Sequence, residues 1–305
     1  MTIFRRSFLQ SVLGGGVALS SAAALASQAE NADEPFIFAF LTDTHLPEGK
    51  PDVAARVAKL IDQIQDRPHP PKLVVFGGDN VMAIDGRQSD EKVEQVLGLF
   101  KSQVMDRLRI PSLSCIGNHD IRWKDRDADK PDSYAEKRKA TETYKMPSRF
   151  YSADHGGWTY IMLDTYHFNG CEIDEAQWAW LAEELSKSEQ PVCIVTHAPL
   201  FSATHFLEPS VDTEKGYAIP PGWSPRGLNR FRELVQKHPR VKLCLSGHMH
   251  TCDRVDIDNV TYICGGAVSG NWWHEEEKYL GFPPCWIEVK TYPDGRWSYE
   301  RQVWT

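Results

Sequence analysis

Seven side chains of this 305-residue sequence could bind cations: Asp43, His45, Asp79, Asn118, His197, His248 and His250. They combine carboxylate, amide and imidazole donors and include no thiolate. Carboxylate and carbonyl oxygens suit harder cations, whereas imidazole suits zinc, iron and similar ions. A tetrahedral site takes four ligands, so seven are too many for one such ion and about right for two ions sharing a carboxylate. Taken singly, each has a plainer explanation. Asp43 is able to cap a turn, a lone histidine is more often structural than a ligand, and Gly-His-Met-His can be a surface loop. What argues for metal is the set as a whole, with each member beside a turn.

The elements that must position these groups alternate between strand and helix. Phe36 to Leu41 reads as a strand, and Val53, Val57, Leu60, Ile61 and Ile64 recur at helical spacing. Leu73 to Phe76 is a second strand, Val93, Val96, Leu97, Phe100 and Val104 a second helical face, and Ser112 to Ile116 a third strand. This βαβαβ opening predicts parallel strands covered by helices. Residues 121–148 are charged and aperiodic and read as an insertion, part helix and part loop. Strands are predicted at 149–152, 158–163, 192–195, 241–245, 260–264 and 285–289, with a terminal hairpin around Pro293-Asp294-Gly295. Asp174 is placed to cap a helix bearing Trp178, Leu181 and Leu185, and a further helix spans 228–238. The seven candidates follow five separate strands, and open α/β sheets bind ligands beyond the carboxyl ends of their strands.

Asp43-Thr44-His45, Gly78-Asp79-Asn80, Gly117-Asn118-His119-Asp120, Thr196-His197 and Gly247-His248-Met249-His250 resemble, in order, the five motifs of calcineurin-like metallophosphoesterases. The resemblance spans about two-thirds of the chain. It implies an α/β fold, a four-layer αββα sandwich with metals at a loop-lined edge. It further implies that Asp43, His45 and His250 hold one metal, that Asn118, His197 and His248 hold the other, and that Asp79 bridges them. His119 would be the catalytic histidine, with Asp120 as the candidate to orient it. The protein-phosphatase branch carries an aspartate three residues after the bridging one, where this chain has Met82. The short motifs are most similar to the class III cyclic-nucleotide phosphodiesterase branch.

The reaction so implied is hydrolysis of a small phosphoester, a diester ahead of a monoester or phosphoprotein. Its cofactors would be two divalent or trivalent transition-metal ions (Fe, Mn or Zn). Two cations ~3.5–4 Å apart clamp phosphoryl oxygens and acidify a shared water, which supplies hydroxide as the nucleophile. Two other readings use the same residues: a metal-dependent binding protein without turnover, and a metal hydrolase that cuts amides.

The first 29 residues differ from the rest. Arg5 and Arg6 precede an uncharged stretch rich in Ala, Gly and Ser that ends at Ala24-Leu25-Ala26 and Ser27-Gln28-Ala29. This is the layout of a twin-arginine signal peptide, so the expectation is export through that machinery to a bacterial periplasm, with residues 30–305 as the metallophosphoesterase domain. No membrane span is expected once the leader is removed. Losing its two arginines takes the formal charge from -8 to -10. Such a surface repels nucleic-acid polymers and anionic lipid, so a phosphate group has to be drawn in locally.

The seven cysteines show no C-x-x-C spacing, and most lie in apolar runs, where buried thiols are expected. Trp272 and Trp273 are read as walls of the site or as packing, and His205 as a solvent-exposed histidine. Asp154, His155, Asp164 and His167 are read as structural.

Overall fold

Short apolar runs with strict alternation become strands that show each face to a different layer. The computed structural model describes residues 34–304 except 83, 85–87, 123–132, 168, 169 and 275–277, and only the backbone of 133–136. The expected leader lies outside the described residues. Residues Phe36–Thr305 form one compact unit. In chain order, β1 (Phe36–Leu41), α1 (Pro51–Gln65), β2 (Leu73–Phe76), α2 (Asp90–Phe100) and β3 (Ser112–Ser114) make the predicted βαβαβ opening. A π-helical stretch, Lys101–Met105, extends α2. Then come α3 (Ser133–Thr143), β4 (Tyr151–His155), β5 (Trp158–Met162), β6 (Tyr166–His167), β7 (Gly170–Cys171), α4 (Glu175–Lys187) and β8 (Val192–Val195). A small hairpin of β9 (Asp212–Thr213) and β10 (Gly216–Tyr217) precedes α5 (Leu228–Gln236) and β11 (Val241–Ser246). The chain closes with β12 (Cys252–Ile257), β13 (Val260–Gly265), β14 (Cys285–Thr291) and β15 (Trp297–Val303).

Two sheets result, ordered β15-β14-β1-β2-β3 and β12-β13-β11-β8-β5-β4. Within them β1, β2 and β3 are parallel, as are β5, β8, β11 and β13. The register brings the carboxyl ends level. Leu41 lies opposite Phe76 and Phe76 opposite Ser114; in the second sheet Val195 faces both Met162 and Leu245. The loops that follow these strands therefore share one edge.

Alternation along β8 identifies the layers. Cys193 and Val195 join a core with Phe38, Val75 and Ile287 of the first sheet, while Val192 and Ile194 pack with Trp178, Leu181 and Phe231 of α4 and α5. Between the sheets, Phe38 meets Tyr160 edge-on at 5.3 Å. Val57, Ile61, Val93 and Val96 of α1 and α2 cover the first sheet. The arrangement is the expected four-layer αββα sandwich. Asp174 caps α4 as predicted, accepting from the N–H groups of Ala176 and Gln177. Lys137 and Arg149 both pair with the fully buried Asp164, which is thus structural, as expected. Among the described residues no helix is long and apolar enough to cross a membrane.

Besides the two-residue strands β6, β7, β9 and β10, one longer strand, β12, was not predicted. Along β12 exposed residues alternate with half-buried ones, and none is fully buried. This edge strand therefore lacks the hydrophobic signal on which sequence periodicity depends. Leu181 is fully buried between α4 and the second sheet. Leu181→Ala should cost about 2–5 kcal/mol in urea unfolding, and a loss well under 1 kcal/mol would contradict the packing described.

Candidate metal centre

The loops at the shared edge are held to one another by backbone hydrogen bonds. The N–H groups of Asp43, His45 and Leu46 donate to the carbonyls of Gly78, Asp79 and Asn80, so the loops after β1 and β2 continue side by side beyond the strands. Val268 and Ser269 donate to the carbonyls of Thr42 and Asp43 from the other side, and Gly247 donates to that of His197. The two sheets are joined at the site itself, where the His248 N–H donates to Asp43 Oδ2 at 2.9 Å.

The sharp turns leave a mark on the backbone. Asp43, His45, Asp79, His248 and His250 have φ values of 53°, 44°, 50°, 71° and 55°. Left-handed backbone is uncommon for residues other than glycine and tends to gather at functional sites. Close approach explains two of the motif glycines. A Cβ at Gly117 would overlap Asp79 Oδ1, and one at Gly247 would overlap Asp43 Oδ2.

Three groups of donor atoms converge, each within 4.8 Å: Asp43, His45 and His250; His45, Asp79 and His119; and Asp79, His197 and His248. Asp79 belongs to two of them, with Oδ2 3.0 Å from His197 Nε2 and 3.7 Å from His45 Nε2. Six of the seven ligands inferred from sequence thus come together, with His119 beside them. Asn118 opens the 3-10 turn Asn118–Asp120, and its Oδ1 is buried without a hydrogen-bond partner.

The donor set fits cations. Nδ1 of His197 lies 2.8 Å from the Gly77 carbonyl, and Nδ1 of His250 lies 2.6 Å from that of Gly270. A carbonyl only accepts, so each Nδ1 carries a proton and each Nε2 faces the cluster. His250 Nε2 is 2.9 Å from His45 Nε2, and His197 Nε2 faces Asp79 Oδ2. Burial holds His45 low, and burial with the nearby His197 brings His248 down to about 3, so both present neutral imidazoles. Burial alone would raise Asp43 and Asp79, but the surrounding histidines (His250 and His197 foremost) outweigh it and keep both carboxylates ionised. For His197 burial is likewise outweighed, by Asp79 and Asp43, which raise it to about 9. The cluster draws positive charge, as a proton on His197 where no cation is bound, and a bound cation would displace that proton.

Asp120 does not take the part read from sequence, that of orienting His119 directly. Its buried carboxylate accepts from the N–H groups of Gly117, Asn80 and Val81 and from the Tyr144 hydroxyl. Four donors are a full complement for two oxygens. Asp120 therefore ties together the loops after β2 and β3 and reaches His119 through their backbone. Burial, with Asp79 nearby, pushes its pKa up to about 7.

The tryptophans divide. Trp272 stacks on His250, with centroids 4.0 Å apart and planes at 26°, and so walls the site. Trp273 is buried and donates its indole N–H to the carbonyls of Thr44 and His45, which is a packing and positioning role. The expectation for His205 is corrected: it is only 2% exposed, beside the ring of Trp223. Sequence reasoning also missed two neighbours of the donors. Thr42 donates to Asp43 Oδ2 at 2.6 Å, and the Tyr166 hydroxyl lies 3.1 Å from His248 Nε2 while it donates to the Gly222 carbonyl. Thr42 adjoins a motif and was within reach. Tyr166 sits in the two-residue strand β6, with no pattern to single it out.

The sequence profile of the family described as calcineurin-like phosphoesterase matches residues 36–252. Comparison with curated protein sequences returns no match. Among solved structures, the fold is similar to that of a dimetal phosphatase from Danio rerio. The TM-score is 0.57 at 12% identity, covering 90% of this chain and 100% of that one. It is also similar to GAP50, the anchor in the inner membrane complex of Plasmodium, with a TM-score of 0.52 at 15% identity and 90% of each chain covered.

Proposed function

Because this chain belongs to the calcineurin-like phosphoesterase family of metal-dependent hydrolases, we propose that it cleaves small phosphodiesters at the edge shared by its two sheets. The observation that carries this reading is Asp79, a member of two donor clusters at once, with His119 at their margin. Asp43, His45 and His250 would hold one cation, Asn118, His197 and His248 a second, and Asp79 both. Bound there, such a pair supplies Lewis-acid polarisation of phosphoryl oxygens and acidification of water.

The protein's own groups supply the rest. Asn118 offers a neutral oxygen, which leaves more net positive charge for the phosphate than a carboxylate would. His119 is partly exposed, and its backbone N–H is held by Asp79 Oδ1 at 2.8 Å. Its imidazole stands at the margin of the donor clusters, positioned to donate to a phosphoryl oxygen or to protonate the departing oxygen. Trp272, half-buried over His250, gives a flat surface for a planar leaving group. Two sequence features favour a diester: the motif resemblance to the class III phosphodiesterase branch, and Met82 where the protein-phosphatase branch has a carboxylate.

The test compares bis-p-nitrophenyl phosphate with p-nitrophenyl phosphate after chelation and reconstitution with manganese, zinc or iron. The diester should be preferred by about tenfold or more in kcat/KM, with turnover lost on chelation and regained with metal. Preference for the monoester would move the assignment to phosphomonoester hydrolysis. Full metal loading without turnover of either ester would mean a binding protein.

A further inference from the structure

We propose that Cys252 and Cys285 are a disulfide-forming pair that closes by exchange with a small anionic disulfide and joins the two sheets covalently. Cys252 opens β12 at the edge of the second sheet, and Cys285 opens β14 in the first. Their sulfurs lie 3.5 Å apart, the one sulfur–sulfur contact among the described residues. A disulfide needs ~2.05 Å, so the thiols have to close by about 1.5 Å, within the reach of side-chain rotation.

The surrounding backbone is arranged to bring them together. Gly266 donates to the Thr251 carbonyl at 3.0 Å, and Cys285 donates to the Ala267 carbonyl at 2.9 Å, so both cysteines flank one turn. A Cβ at Gly266 would overlap both sulfurs; its absence is what leaves room for them to meet. The remaining cysteines, Cys115, Cys171, Cys193, Cys244 and Cys264, are buried.

Access is one-sided. Cys285 is fully buried, whereas Cys252 is partly exposed and lines a cavity of about 200 Å³ with Asp253, Arg254, Tyr299 and Arg301. Arg301, beside Arg254 in its pair with Asp256, suits a disulfide that carries carboxylates, such as glutathione disulfide. Cys252 gives up its proton and attacks one sulfur of that reagent, forming a mixed disulfide and releasing one thiol. Cys285 then attacks the Cys252 sulfur, expels the second thiol and closes the protein disulfide. Two cysteine thiols are oxidised and one small disulfide is reduced to two thiols, which carry away both protons. The bond would fasten the sandwich two residues beyond His250.

The experiment treats the folded full-length protein with glutathione disulfide, then denatures it, alkylates it and maps its peptides without reduction. The expected product links Cys252 to Cys285, lowers the thiol count by two and melts about 5 °C higher than the reduced form. Cys285→Ser should stop at glutathione on Cys252, and Cys252→Ser should take up none. The proposal is overturned if both thiols remain alkylatable, if the linkage joins other cysteines, or if the unsubstituted protein keeps glutathione on Cys252 without closing.

Discussion

Asp79→Asn should empty both cation sites together and lower turnover by about a thousandfold or more. The aspartate is the one carboxylate common to two donor clusters, and it faces His197 through Oδ2 and the His119 N–H through Oδ1. Asparagine keeps the size but removes a full buried charge and replaces one oxygen donor by an N–H2 group, which binds no cation. An uncompensated change of this kind at a buried site costs several kcal/mol, and each ~1.4 kcal/mol is a factor of ten. Metal analysis of the purified variant by mass spectrometry, set beside circular dichroism to show that it is folded, decides the matter. If one ion is lost and the other kept at full occupancy, the carboxylate is not shared and the division of ligands has to be redrawn.

His119→Ala should do the reverse, retaining the metals while kcat falls by about 10²- to 10⁴-fold, the usual share of a positioned acid or base. The reason lies in which atoms the substitution removes. The contact that His119 makes to Asp79 comes from its backbone N–H and survives the change. The imidazole, 5.0 Å from that of His45, stands at the margin of the cluster and is partly exposed. Metal content and kcat measured on one preparation separate the roles, since a parallel fall in both would make His119 a ligand and not a proton donor.

Much of this was legible because it is local. Strands end where apolar runs meet Gly, Ser or Thr, so placing Asp43, Asp79, Asn118, His197 and His248 at strand ends required only the pattern of the chain. The four layers followed from the motif resemblance, and the unbroken apolar run Val192–Val195 and the helical spacing in α1 and α4 agree with them. The misreadings are of contacts between distant segments. Nothing near Asp120 announces that Tyr144 will occupy its carboxylate, and nothing near His205 announces Trp223. Trp272 and Trp273 are neighbours of one type, and only the placement of His250 and Thr44 tells them apart. The left-handed backbone at five donor residues was likewise hidden, since Asp and His do not advertise such φ values as glycine does.

The donors come from both sheets, with Asp43, Asp79 and Asn118 following strands of one and His197, His248 and His250 following strands of the other. Each proposed cation site needs a histidine at 248 or beyond. A ribosome-bound fragment ending short of that point owns neither complete set, so a half-made chain is chemically silent. Hydrolytic power would be switched on late in synthesis, when the polypeptide is long enough to shelter what it makes.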